Sequence, residues 1–174
     1  MKVEYILDND VDKRLDKQLR SLLSLCFAKP SDKRFKTQRY YNEMPQHRWL
    51  VRSKDKTEVI AHVAVHEKSV TFKGQQFPIA GVAEVCVHPD HRGNGHVKHL
   101  LAQAHQWMIS QGYLYSVLFG KDEVYGSSGY QRVTNLYLVS EQEPYTATAV
   151  SAMVLALKQQ QWPASDVELK GLSF

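Results

Sequence analysis

Apolar positions recur along this chain with two periods, and each change of period marks an element. Val11, Leu15, Leu19, Leu22, Leu23 and Cys26 fall three, four or one apart, the spacing that lines one face of a helix. The pattern predicts a helix capped from Asp8-Asn9-Asp10 and stopped before Pro30. A weaker helical stretch is expected over about residues 32–42, carrying Phe35, Tyr40 and Tyr41. Residues 3–7 read as a short first strand. Residues 49–53 and 59–66 read as an antiparallel pair around Lys54-Asp55-Lys56, and residues 70–77 as a further ribbon turning near Lys73-Gly74.

The next segment is the densest in the chain. Val82, Val85 and Val87, with Ala83 and Cys86 between them, form a nearly continuous apolar run, as a strand buried on both faces requires. His88-Pro89-Asp90 ends it, because proline donates nothing to a ladder and biases its predecessor away from helix. Arg92-Gly93-Asn94-Gly95 follows, and then Val97, Leu100, Leu101, Ala104 and Met108 recur at helical spacing up to Gly112, a candidate C-cap. Residues 113–119, 132–139 and 149–157 complete the strands. The tail from Trp162 is irregular, with Val167 and Leu169 in a short edge strand.

This order predicts an α/β fold: a mixed, mostly antiparallel sheet with helices on both faces, parallel only at the central crossover. No repeat, linker or low-complexity stretch interrupts it, so residues 1–174 are expected to form one domain. With 174 residues, 43% of them hydrophobic, the chain can build one sizeable core.

Charge changes the picture little. A net +4 suits an anionic ligand and does not require nucleic acid. The cluster Lys33-Arg34-Phe35-Lys36 reads as a solvated helix face. Cys26 and Cys86 cannot make a disulfide framework, and both sit in apolar runs. The eight histidines form no zinc pattern with cysteine, so no metal is expected. The first residues lack an apolar leader core and no run approaches spanning length, so a cytoplasmic protein without membrane contact is expected.

The chemistry concentrates at the strand–turn–helix junction. A helix start leaves amides unpartnered and carries a partial positive charge. Glycines before it let the backbone approach a ligand, and Arg92 adds a full charge. Such a nest suits a pyrophosphate. On the glycines alone, an ordinary strand-to-helix loop is the better reading. A dinucleotide-binding fingerprint is excluded, since Lys98 stands where its third glycine belongs.

The run Val87-x-Pro89-x-x-Arg92-Gly93-x-Gly95, entering an amphipathic helix, resembles the acetyl-CoA motif of the GNAT superfamily of N-acetyltransferases. That motif falls on Arg92, Gly93, Asn94, Gly95, His96 and Val97, with Val97 in place of the usual small residue. A second resemblance lies in Tyr125-Gly-x-x-Gly129-Tyr130, similar to the branch containing aminoglycoside 2′-N-acetyltransferases.

The resemblance implies acetyl-CoA as co-substrate and a small-molecule primary amine as acceptor, attacked directly in a ternary complex. It also implies a splayed central strand pair, with the backbone of Val85, Cys86 and Val87 pairing with the pantetheine arm. Tyr125 is then the acid that protonates the leaving thiolate, or else packs beneath its loop. Glu84 is either the base or a structural glutamate bonded to nearby backbone. His88 and the Phe174 carboxylate are further candidate bases. Cys86 is expected to be a small buried hydrophobe and not an acyl carrier. A homodimer is compatible with this reading. The rival is a non-catalytic acyl-CoA-binding or regulatory module, which would share the turn and lack a usable acid and acceptor pocket.

Overall fold

The structure, a computed structural model, describes residues 2–174. In chain order the elements are β1 (Glu4–Leu7), α1 (Lys13–Cys26), β2 (His47–Arg52), β3 (Val59–Phe72) and β4 (Gln75–Val87). Then come α2 (His96–Gln111), β5 (Tyr115–Leu118), the single turn α3 (Asp122–Tyr125), β6 (Gln131–Val139), β7 (Ala147–Ala156) and β8 (Val167–Lys170). The strands hydrogen-bond in the order β1-β2-β3-β4-β5-β7-β6-β8. The expected mixed sheet with helices is therefore present. The chain falls into two compact units, the first running to His66 and resuming over Ala83–Ala104, the second comprising Glu67–Val82 and His105–Phe174.

In the first unit β2 pairs antiparallel with β1 and with β3. Helix α1 begins as its polar pattern dictates, but one cap later than expected. The Asp12 carboxylate accepts the Leu15 amide at 2.7 Å, while Asp8–Asp10 form a short 3-10 turn of their own. Leu15, Leu19, Leu22 and Leu23 bury against Phe35, Leu50, Val59 and Cys86, with Cys26 and Tyr41 at the margin. Each leucine so buried contributes roughly 1.5–3 kcal/mol. The helix expected over 32–42 is shorter and of another type, a 3-10 helix over Pro30–Lys36. Pro30 starts it, and buried Phe35 then takes a single anchoring position that needs no long amphipathic face.

In the second unit β4 and β5 run parallel from Ile79–Tyr115 to Val82–Leu118, and β5–β7 and β7–β6 are antiparallel. Two expectations are corrected here. The ribbon over 70–77 is not separate, because its halves are the ends of the long strands β3 and β4, which turn at Lys73 and Gly74. Residues 167–170 are not an edge strand. They run parallel to β6 and also pair antiparallel with Val70 and Thr71 of β3. These pairings close β3-β4-β5-β7-β6-β8 into a ring and add a second parallel pair. Closure removes unpaired strand edges, and the ring is filled by Val70, Ile79, Tyr115, Val117, Leu136, Val154, Val167 and Leu169. Gly81 on β4 lets the Phe174 ring lie against the strand, since a Cβ there would sit 2.6 Å from that ring.

Helix α2 ends as its sequence predicts. Gly112 has φ +89°, its amide donates to Ile109, and the Tyr113 amide donates to Met108. This is the Schellman pattern, which needs a residue that tolerates the left-handed region.

Candidate active site

The phosphate-type turn lies in the first unit. Pro89–His91 form a 3-10 turn, Gly93 and Gly95 have φ +77° and +72°, and α2 starts at His96. Its first bond runs from the His99 amide to the Gly95 carbonyl at 3.1 Å. The amides just before that bond are the donors a helix start leaves over. Asn94 steadies the turn from within, its side-chain amide donating to the carbonyls of His91 and Arg92 at 3.0 and 3.3 Å. A Cβ at Gly93 or Gly95 would meet nothing within 4 Å. The glycines are thus required by backbone conformation, and the space above them is open. An exposed arginine, open space and the positive end of a helix fit a pyrophosphate.

Arg92 Nε donates to the Val87 carbonyl at 3.4 Å, and the Cys26 thiol donates to the same oxygen at 3.3 Å. Val85 and Val87 are half-buried and Cys86 is buried. His96 and Val97 are half-buried at the helix start. Burial, and then the neighbouring His91, depresses the His96 pKa, so its ring is neutral near pH 7. Among the described residues no cluster of three or more His, Cys, Asp or Glu side chains is arranged to hold a metal ion.

Glu84 occupies an unusual position. Two residues beyond the β4–β5 pairs its backbone turns to φ +51°, a conformation that costs a non-glycine residue of order 1 kcal/mol or more. Its side chain is 3% exposed. One carboxylate oxygen, Oε1, accepts the Tyr41 amide at 2.8 Å, as a structural glutamate would. The other, Oε2, has no hydrogen-bond partner and lies 3.5 Å from Arg48 Nη1 without hydrogen-bond geometry. Burial raises the Glu84 pKa to about 7, and Arg48 only partly offsets it.

The groups behind Glu84 escaped the sequence reading. Arg48 is fully buried; its Nε donates to Asp8 Oδ1 at 2.5 Å, Nη2 donates to the Arg39 carbonyl at 2.9 Å, and Nη1 meets His62 Nε2 at 3.0 Å. Arg39 also grips Asp8, through Nε to Oδ1 at 2.9 Å and Nη2 to Oδ2 at 2.6 Å. His62 contacts the Glu84 carbonyl through Nδ1 at 3.0 Å. Burial, reinforced by Arg48, lowers the His62 pKa to about 3, so the ring is neutral. The network assigns its proton to Nδ1, leaving Nε2 to accept from Arg48. Part of their signal was legible: His62 interrupts the apolar run 59–65, while Arg48 stands just ahead of the run read as a strand over 49–53.

Tyr125 belongs to the second unit. It ends α3 half-buried, and its ring lies on Gly120, where a Cβ would come within 2.6 Å of Cδ2. It stands edge-on to Tyr130 with centroids 6.1 Å apart. Tyr130 is buried, its hydroxyl 2.6 Å from Ser116 Oγ and 2.8 Å from His105 Nε2. Burial pushes the Tyr130 pKa far up and draws that of His105 down to about 4. Both are therefore neutral, and a fixed hydrogen-bonded trio backs the Tyr125 ring. In the first unit, Tyr41 packs with Phe35 and under Arg34, whose guanidinium sits 4.1 Å from the ring centroid.

An acetyltransferase (GNAT) domain family matches residues 12–133, more than two thirds of the chain. The chain belongs to the GNAT acetyltransferase family. It is similar in fold to a GNAT family N-acetyltransferase, YhbS, from Escherichia coli in complex with CoA. The identity there is 15%, the TM-score 0.69, and 98% of this chain and 89% of that one are covered. A GNAT family acetyltransferase from Brucella melitensis in complex with acetyl-CoA has 16% identity and a TM-score of 0.61, covering 95% of this chain and 94% of that one. Against a larger GCN5-related N-acetyltransferase from Anabaena variabilis the identity is 22% and the TM-score 0.57. There the match covers 76% of this chain and 33% of that one. No curated protein matches the chain.

Proposed function

We propose that this chain is an acetyl-CoA-dependent N-acetyltransferase that moves an acetyl group to a primary amine of a small molecule by direct attack. Residues 1–174 then act as one domain, a reading supported by a family match that runs through residues of both units. The turn Arg92–Val97 holds the pyrophosphate through its amides and the Arg92 guanidinium. The backbone of Val85, Cys86 and Val87 offers strand-like bonds to the pantetheine arm. When bound, acetyl-CoA supplies an activated acetyl thioester.

One observation carries the catalytic reading: Glu84 is buried, strained and has an oxygen without a hydrogen-bond partner. A carboxylate with pKa about 7 is matched to removing a proton from an amine near neutral pH, directly or through one water. Tyr125 donates its phenolic proton to the leaving sulfur, a role supported by the ring's fixed seat on Gly120 and Tyr130. The Tyr-Gly-x-x-Gly-Tyr segment favours acceptors like those of the aminoglycoside 2′-N-acetyltransferase branch.

The test is thiol release from acetyl-CoA with a panel of aminoglycosides, polyamines and amino acids, beside calorimetric binding of acetyl-CoA. Turnover with a small amine supports the reading. Tight binding without turnover on any amine replaces it with a non-catalytic acyl-CoA-binding module.

A further inference from the structure

Arg48 faces two buried carboxylates and serves them unequally. Its Nε is 2.5 Å from Asp8 Oδ1, whereas its Nη1 is 3.5 Å from Glu84 Oε2 without hydrogen-bond geometry. The guanidinium is held in this attitude on three sides. Asp8 takes Nε, the Arg39 carbonyl takes Nη2, and His62 Nε2 takes a proton of Nη1. Asp8 is itself fixed, because Arg39 binds both of its oxygens. Burial opposes its charge, but Arg39 and Arg48 together hold its pKa below the usual carboxylate value, so Asp8 is an anion.

We propose that Asp8 is a positioning residue for the base: by claiming Arg48 it keeps the guanidinium from locking Glu84 Oε2, which stays free for a substrate proton. The inference rests on Glu84 as the base. A buried arginine beside a catalytic carboxylate would otherwise form a close, forked ion pair with it, the geometry guanidinium and carboxylate prefer. Such a pair would stabilise the carboxylate anion and make it a poor base. Asp8 prevents this twice, by occupying the arginine and by adding its own negative charge near Glu84. The other groups facing Glu84 do not supply the effect. His62 is neutral, the Tyr41 amide favours the anion, and Cys86, on the same strand, is a protonated thiol whose pKa burial raises further.

The experiment is a carbon-13 NMR titration of the side-chain carboxyls in the full chain, with the Glu84 resonance assigned from its loss in Glu84→Gln. The wild-type midpoint is expected near 7. Asp8→Asn keeps the shape and an acceptor oxygen but removes the charge. It should lower the Glu84 midpoint by roughly one unit or more, the scale of an opposite charge moving into contact. Should Asp8→Asn not fold, Arg39→Gln serves, since that side chain is 19% exposed. Removing this cation leaves Asp8 to Arg48 alone, draws that guanidinium further from Glu84, and should raise the Glu84 midpoint.

A folded Asp8→Asn with an unmoved Glu84 midpoint overturns the positioning role. So does Arg39→Gln with a lowered or unchanged one. The pH dependence of kcat/KM on an accepted amine separates this from the parent reading. Its acid limb should move with the NMR midpoint in each variant. If the midpoint moves and the limb does not, Glu84 is not the base, and Asp8 positions a carboxylate outside the reaction.

Discussion

The Arg92 guanidinium and the Cys26 thiol converge on one oxygen, the carbonyl of Val87, at 3.4 and 3.3 Å. The end of α1 is thereby joined to the turn that the sequence marks for phosphate. When Cys26 ionises it loses this acceptor, and its anion is held instead by the Cys86 thiol and by Arg92. Together these outweigh burial and bring the Cys26 pKa down to about 7, whereas burial drives that of Cys86 well up. Alkylation by iodoacetamide should therefore modify Cys26 and spare Cys86. The rate should rise through pH 7 and level off, and Arg92→Ala should move that midpoint upward. A wild-type rate still climbing above about pH 8.5, the ordinary thiol range, would show that these neighbours do not hold the thiolate.

Cofactor binding should depend on the same turn. On the proposed reading, Arg92→Ala removes one charge-assisted contact, and Gly95→Asp places a carboxylate at the proposed phosphate turn, where φ is +72°. Each lost bond to a charged group is worth about 1.5–3 kcal/mol. The double variant should therefore bind acetyl-CoA at least about a hundredfold more weakly by calorimetry. Normal affinity in a folded double variant would refute the phosphate assignment.

Glu84→Gln should cost turnover and add stability. The loss of turnover should shrink at high pH, where more amine arrives neutral. The stability effect has a definite sign. Folding raises the Glu84 pKa from 4.5 to about 7, so the carboxyl's favourable contribution is complete below pH 4.5 and vanishes as pH rises through 7. Glutamine mimics the protonated acid and escapes this loss. Thermal melts should show Glu84→Gln more stable than wild type at pH 8, by up to on the order of 3 kcal/mol, with no gain near pH 4.5. An equal or lower melting temperature at pH 8 would mean that Glu84 is not strained by ionisation.

Tyr125→Phe should leave acetyl-CoA affinity near normal and lower turnover by roughly ten- to a thousandfold, a loss confined to the transition state. Gly120→Ala should give a related defect without touching the hydroxyl, because the new methyl would displace the Tyr125 ring. Single-turnover kinetics on an accepted amine checks both. A Tyr125→Phe enzyme as fast as wild type, with chemistry rate-limiting, would reduce the tyrosine to packing.

The elements with strong local patterns were readable in the chain itself. Helix α1, the β4–turn–α2 junction and the Gly112 cap each follow from periodicity or from a backbone geometry few residues adopt. The turn itself was legible for the same reason, since Gly93 and Gly95 take left-handed backbone just ahead of the helix start. Weak amphipathic signals misled: residues 32–42 read as a helix, but only a 3-10 turn forms where Pro30 and Phe35 set the local shape. The β8 pairings were equally out of reach, because a four-residue alternation carries no information about which distant edges it joins.

For the candidate site the division runs between backbone and charge. The local sequence alone placed the glycine turn before α2, Glu84 on its strand and Tyr125 ahead of Gly129-Tyr130. Tertiary structure alone decided what Glu84 is chemically. Its proton affinity depends on burial and on Arg48, 36 positions earlier in the sequence, whose charge is claimed by Asp8, 40 positions earlier still. Electrostatic energy depends on distance through space and on the exclusion of water, and neither is a property of any short stretch of chain.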